Sequence, residues 1–192
     1  MPPRVVVLSG VNGAGKTTAS RDLLVNVLKI PVFTNADSIA RGLNSLNPES
    51  ESIPAAKVIL DWMDTLVGKR KDFAFETTLA GRTYAAWRRT LRQAGYEFHL
   101  YYFWLDSPEL ALRRVAERVR SGGHHIQDAD VLRRYGRSVR NFRELYRPIA
   151  DDWEVIDNSL GRRELVALGN ADEEEVANRD TWEQFLRSAH DA

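Results

Sequence analysis

Gly10-Val11-Asn12-Gly13-Ala14-Gly15-Lys16-Thr17 follows directly on the apolar run Arg4-Val5-Val6-Val7-Leu8-Ser9 and leads into a helical pattern at Thr17-Thr18-Ala19. A Gly-x-x-x-x-Gly-Lys-Thr loop needs this context, a buried strand before it and a helix after it. The glycines let backbone N–H groups close around phosphate oxygens at the positive end of the helix. Lys16 is then placed to reach the β- and γ-phosphates, and Thr17 to offer its hydroxyl to Mg²⁺. Gly10, Asn12, Gly13, Ala14, Gly15, Lys16, Thr17 and Thr18 are therefore the candidate ATP-binding residues. A chance glycine-rich turn would not bring strand, loop, Lys-Thr and helix together in this order. The loop points to a nucleoside triphosphate and leaves open the fate of its γ-phosphate.

Outward from the loop, strand-like and helix-like stretches alternate, which predicts an α/β class with a parallel sheet. The expected architecture is a P-loop NTPase three-layer sandwich, with five mainly parallel strands flanked by helices and a helical lid. The strands are expected at residues 4–9, 32–34, 73–75, 98–105 and 153–156. The aromatic content of residues 98–105 implies burial on both faces. Helices are expected at 16–29, 54–68 and 82–94, with Leu23, Leu24, Val27 and Leu28 on the inner side of the first. A further helix opens at Ser107-Pro108-Glu109, a capping hydroxyl followed by Pro and a carboxylate near the positive dipole end. Residues 38–50, with Gly42, Asn44, Asn47 and Pro48, read as loop. The expected division is a P-loop kinase domain over residues 1–160, with a lid at about 117–140, and a helical appendage over 161–192.

Composition narrows the class. The 192 residues suit a single domain with a sizeable core. The chain has no cysteine, hence no disulfide framework and no thiolate zinc site. Its N-terminus runs straight into the first strand, no apolar stretch reaches membrane-span length, and a cytoplasmic location is the expectation. With 27 basic and 27 acidic residues, the formal charge is zero, which argues against a general nucleic-acid binder. Ten arginines nevertheless fall between Arg113 and Arg147. Such a cluster in a neutral protein suits a small anionic ligand.

In open parallel sheets the site lies at the carboxyl ends of the strands. Asp37 stands there after the second strand and Glu76-Thr77-Thr78 after the third. A small-molecule kinase needs a carboxylate to accept the proton of the acceptor hydroxyl, and Asp37 is the candidate. The alternative is that Asp37 merely caps the next turn. Phe73-Ala74-Phe75-Glu76 resembles a Walker B strand with Glu in place of Asp, so Glu76 could hold Mg²⁺ through water or bind the acceptor. Thr77 and Thr78, and beyond them Arg82 and Tyr84, would face the acceptor. The arginines from Arg113 to Arg147 read as a helix–loop–helix lid whose guanidinium groups spread charge on the transferring phosphoryl. Arg118 and Arg134 are the preferred catalytic pair, with Arg133 as a further ATP contact. His124 and His125 beside two glycines invite a metal reading, which the lack of other ligands disfavours; contact of His124 with phosphate or acceptor is preferred. Trp62, Trp87, Trp104 and Trp153 read as core.

With these residues assembled, the chain resembles the zeta-toxin family of P-loop kinases, in its compact bacterial branch. The resemblance is carried by Gly10–Thr18, Asn35-Ala36-Asp37, Phe75-Glu76-Thr77-Thr78-Leu79, Gly95-Tyr96, Arg114-Val115 through Arg118-Val119, Gly122-Gly123-His124, Arg133-Arg134-Tyr135 and Asp157-Asn158-Ser159. It implies a fold similar to nucleotide and shikimate kinases, and phosphorylation of a small-molecule hydroxyl, UDP-N-acetylglucosamine in that family, at the expense of ATP with Mg²⁺. It also implies an antitoxin protein that blocks the ATP site. Carried onto this chain, it makes Lys16 and Thr17 the phosphate and Mg²⁺ residues, Asp37 the base and Glu76 a substrate contact, with lid arginines on the γ-phosphate. Two other readings stay open at this point: a nucleotide-dependent switch or assembly ATPase with no small-molecule acceptor, and a nucleotide or polynucleotide kinase.

Overall fold

The computed structural model describes residues 1–46, 48–123 and 125–188. Strand β1 (Arg4–Gly10) delivers the chain to the phosphate loop, and α1 (Lys16–Arg21) leaves it, widening into a π-helical turn at Asp22–Val27. There follow β2 (Phe33–Asn35), α2 (Ala36–Leu43), α3 (Ser52–Gly68), β3 (Phe73–Thr77), α4 (Thr83–Gln93) and β4 (Glu97–Trp104). The second half holds α5 (Pro108–Arg120), α6 (Asp128–Asn141), β5 (Asp152–Asp157), β6 (Glu164–Gly169), β7 (Glu174–Val176) and α7 (Arg179–Arg187).

The sheet has seven strands, where five were expected, in the order β2-β3-β1-β4-β5-β6-β7. The five expected strands form its parallel portion, with β1 between β3 and β4. The two additional strands are antiparallel and extend the edge beyond β5. They lie within residues 161–192, where helix was expected throughout; among the described residues only α7 is helical there. The reason is local: Val166 and Ala167 are buried, and Trp182 of α7 stacks on both Trp153 and Phe185. This segment therefore shares the core of the parallel strands.

β1 is buried along Val5–Gly10, as a central parallel strand must be. β4 departs from the expected burial on both faces. Phe98, Leu100, Tyr102 and Trp104 are buried, whereas Glu97, His99 and Tyr101 are only half-buried on the opposite face. α2 occupies residues expected to be loop. Its N-terminus is capped by the Asn35 side chain, which accepts from the backbone of Asp37 and Ser38. The π-helical turn changes the phase of the first helix, so Leu24 is buried but Val27 is exposed. Trp62 is also exposed on α3, unlike the buried Trp104 and Trp153.

Candidate active site

The carboxyl ends of β1, β2 and β3 converge on one cavity of about 870 Å³. Its rim joins the phosphate loop (Asn12, Gly13, Gly15, Lys16, Thr17, Thr18) to the strand ends (Asn35, Asp37, Glu76, Thr77, Thr78) and to α5 and α6 (Arg114, Arg118, Arg134). Residues from distant parts of the chain thus face a single space, because parallel strands all discharge their loops on one side.

The loop begins at a position only glycine can occupy. Gly10 has φ +128°, and a Cβ there would lie 1.9 Å from the carbonyl oxygen of Phe103 on the neighbouring strand. β1 and β4 can therefore stay paired up to Gly10 and Phe103 before the chain turns into the loop. Lys16 is buried and donates from Nζ to the carbonyls of Gly10 and Val11, at 2.9 Å each. Burial lowers its pKa, opposed by the negative charges of Glu76 and Asp37 and assisted by Arg118. Its ammonium lies 4.0 Å from Glu76 Oε1. On the far side of the loop, Asn158 donates to the carbonyl of Ala14 at 3.0 Å.

Glu76, at the end of β3, gathers the groups around it. Oε2 accepts from Thr17 Oγ1 at 2.7 Å and from Asn35 Nδ2 at 2.9 Å. Asp37 is exposed in the first turn of α2 and lines the same cavity as the arginines. Thr77 and Thr78 fold back on their own loop: their hydroxyls accept from the backbone of Leu79 and Ala80. Leu79, at φ 56°, sits in the left-handed region, and its carbonyl accepts from Asn141 on α6 at 2.7 Å. Tyr84 closes this end of the cavity, its ring 4.6 Å from that of Phe75. Burial pushes its phenol pKa upward, so it presents a neutral hydroxyl.

The arginines sort by helix face. Arg114 and Arg118, one turn apart on α5, both line the cavity, and Arg114 also donates to the carbonyl of Ser159 at 3.0 Å. Behind Arg118 the chain turns at Gly123, where a Cβ would come within 2.6 Å of the arginine's Cγ; the close approach sets the stem of Arg118. Arg134 lines the cavity and lies 3.6 Å from Asp130. Arg133, expected as an ATP contact, does not line the cavity and pairs with Asp130 at 2.6 Å. Arg82, expected at the acceptor, is exposed at the start of α4 and does not line the cavity. Gly10 and Ala14 sit behind its wall and contribute carbonyls to Lys16 and Asn158. His124 lies outside the described residues, whereas His125 lines the cavity. Among the described residues, no group of three His, Cys, Asp or Glu side chains is arranged to hold a metal.

Sequence reasoning assigned no site role to Asn35, Arg114 or Asn158. The spacing of Arg114 and Arg118, one helical turn, was the available signal for the first arginine. Asn158 stood in the Asp157-Asn158-Ser159 motif, but its contact with Ala14 depends on β5 ending beside the phosphate loop.

A model of the AAA domain family matches residues 5–141. An uncharacterized protein of Haemophilus influenzae (strain ATCC 51907 / DSM 11121 / KW20 / Rd) is 29% identical over 135 residues, which cover 70% of this chain and 94% of that protein. Among solved structures, the AvrRxo1-ORF1:-ORF2 complex with ATP superposes with a TM-score of 0.74 at 16% identity, covering 95% of this chain. The chain spans only 63% of the length of that protein. A structure from the PezAT chromosomal toxin–antitoxin system of Streptococcus pneumoniae superposes with a TM-score of 0.63 at 19% identity, covering 98% of this chain and 85% of the other. At these identities the likeness shows a shared P-loop kinase-like fold.

Proposed function

The chain belongs to the AAA domain family, and from that premise we propose that it is an ATP-dependent kinase of zeta-toxin type, transferring the γ-phosphoryl group to a small-molecule hydroxyl in the cytoplasm. One observation carries this reading: the phosphate loop and the carboxylate Asp37 line the same cavity. A donor phosphate and an acceptor hydroxyl need such a shared space, closed against water.

The loop's backbone N–H groups and Lys16 hold the triphosphate; Lys16 exchanges its carbonyl partners for phosphate oxygens. The oxygen donors Thr17 and Glu76, already hydrogen-bonded to each other, suit a hard cation, and Mg²⁺ bound there would neutralise phosphate charge. Asp37 accepts the proton of the acceptor hydroxyl as the new O–P bond forms and the bond between the γ-phosphorus and the bridging oxygen breaks, releasing ADP. Arg118 and Arg134 neutralise the equatorial oxygens of the transferring group. Thr77, Thr78 and Tyr84 form the acceptor wall. The likeness to zeta toxins makes UDP-N-acetylglucosamine the first acceptor to assay and an antitoxin-like protein the expected partner over the ATP site.

The experiment is a screen of small-molecule pools, UDP-N-acetylglucosamine included, for an acceptor that accelerates ATP consumption and becomes phosphorylated. Asp37→Ala should abolish the transfer while ATP binding survives. Slow hydrolysis that no acceptor accelerates, coupled to nucleotide-dependent capture of a protein partner, would favour a switch ATPase instead.

A further inference from the structure

We propose that Asn35 is the positioning residue that couples the metal-side carboxylate Glu76 to the acceptor-side carboxylate Asp37, an assignment that rests on the kinase reading above. Asn35 ends β2 and lies directly opposite Glu76 in the parallel register with β3. The two ends of its amide act differently. Nδ2 donates to Glu76 Oε2 at 2.9 Å. Oδ1 accepts from the backbone N–H of Asp37 at 2.8 Å and of Ser38 at 3.4 Å, capping α2. Because Thr17 Oγ1 donates to the same Oε2 at 2.7 Å, one carboxylate oxygen joins the phosphate loop to the acceptor wall.

This arrangement needs an amide. A side chain that donates to Glu76 and accepts from the helix N-terminus must carry both functions at a fixed, short separation. A serine there could cap α2 but lacks the reach of an amide towards Glu76. An aspartate caps as well as asparagine, but it sets a second carboxylate at hydrogen-bond distance from Glu76. Two carboxylates so close repel, and neither can donate to the other. Asn35 therefore holds Glu76 in a fixed rotamer through Nδ2 and ties the first turn of α2, with Asp37 on it, to the same anchor.

The test uses the full chain, with ATP in the presence and absence of Mg²⁺ as the probe and ADP release as the rate. Asn35→Asp should melt within a few degrees of wild type and bind Mg²⁺-free ATP as wild type does. It should lose at least about tenfold in kcat with MgATP while KM for MgATP changes by less than about twofold, because the introduced carboxylate repels Glu76 and releases it from its anchor. Pairing Asn35→Asp with Glu76→Gln, which exchanges donor and acceptor across the same gap, should keep the wild-type melting temperature without restoring the rate. A wild-type kcat and KM for Asn35→Asp, alongside an inactive Glu76→Gln single variant, overturns the coupling and leaves the kinase reading intact. Full turnover by Glu76→Gln removes Glu76 from the metal side and overturns the coupling, whereas the kinase reading falls only if no acceptor becomes phosphorylated.

Discussion

Thr17 Oγ1 donates a 2.7 Å hydrogen bond to Glu76 Oε2, joining the last residue of the phosphate-loop motif to the end of the strand beside β1. Both oxygens are hard donors at the mouth of the loop, and in the proposed kinase they share one cation. Glu76→Gln keeps the volume and a hydrogen-bond acceptor for Thr17 but removes the charge. Turnover of saturating MgATP is expected to fall by about 10²-fold, within the range seen when a single transition-state electrostatic contact is removed. Steady-state ADP release, with the melting temperature measured in parallel, checks this; an unchanged rate would remove Glu76 from the metal side.

Lys16 is buried, with its ammonium on the carbonyls of Gly10 and Val11. Burying the charge costs stability, and its two hydrogen bonds return much of that cost. Lys16→Met should therefore leave the melting temperature within a few degrees of wild type. It should weaken MgATP binding by at least about tenfold, through loss of a charge-assisted phosphate contact. Calorimetric titration with MgATP separates the two effects.

Gly10→Ala tests the backbone of the site. The added Cβ would lie 1.9 Å from the Phe103 carbonyl oxygen at φ +128°. Relief requires β1 and β4 to part at the centre of the sheet. A loss of more than about 3 kcal/mol is expected, seen in chemical denaturation or as insoluble expression. A stable, nucleotide-binding Gly10→Ala protein would show that the strands can part without cost.

His99 supplies a pH dependence remote from the cavity. Burial lowers its pKa, but the hydrogen bond and charge of Asp152, at 2.6 Å, and the charge of Glu97 outweigh burial, so the folded-state pKa is raised. A raised pKa places the pair's stabilisation below the unfolded value near 6.5 and removes it as pH rises through the folded value. The stability gap between wild type and His99→Gln should be wide at pH near 5.5 and narrow at pH near 8.5, measured by chemical denaturation. A gap independent of pH would contradict the charged pair.

The parallel half of the sheet was legible because each of its strands is an apolar run closed by a polar turn, and the phosphate loop ordered them. β6 and β7 were not. Leu165-Val166-Ala167-Leu168 is too short for periodicity to separate strand from helix, and only its partner β5 decides. α2 was hidden by Gly42 and Asn44, which punctuate its end, while the cap that starts it is a single Asn35 side chain. Asp37, Glu76, Arg118 and Arg134 were recognisable as chemistry-bearing residue types at strand ends and on lid helices. Which arginines face the cavity was not, because Arg133 and Arg134 are adjacent, both reach Asp130, and only Arg134 lines the cavity. Arg114 and Asn158 stood in recognised motifs, but their hydrogen bonds span 45 and 144 residues of chain, which no local pattern reveals.

The central claim is that Asp37 deprotonates an acceptor hydroxyl in the cavity it shares with the phosphate loop. The most direct test incubates wild type and Asp37→Asn with [γ-³²P]ATP, Mg²⁺ and a small-molecule pool containing UDP-N-acetylglucosamine, and follows label by chromatography. The account predicts that wild type moves label onto an organic acceptor, and that Asp37→Asn loses about 10²- to 10⁴-fold of this transfer while binding ATP as before. Label appearing only as inorganic phosphate with wild type, or equal transfer by both proteins, would contradict it.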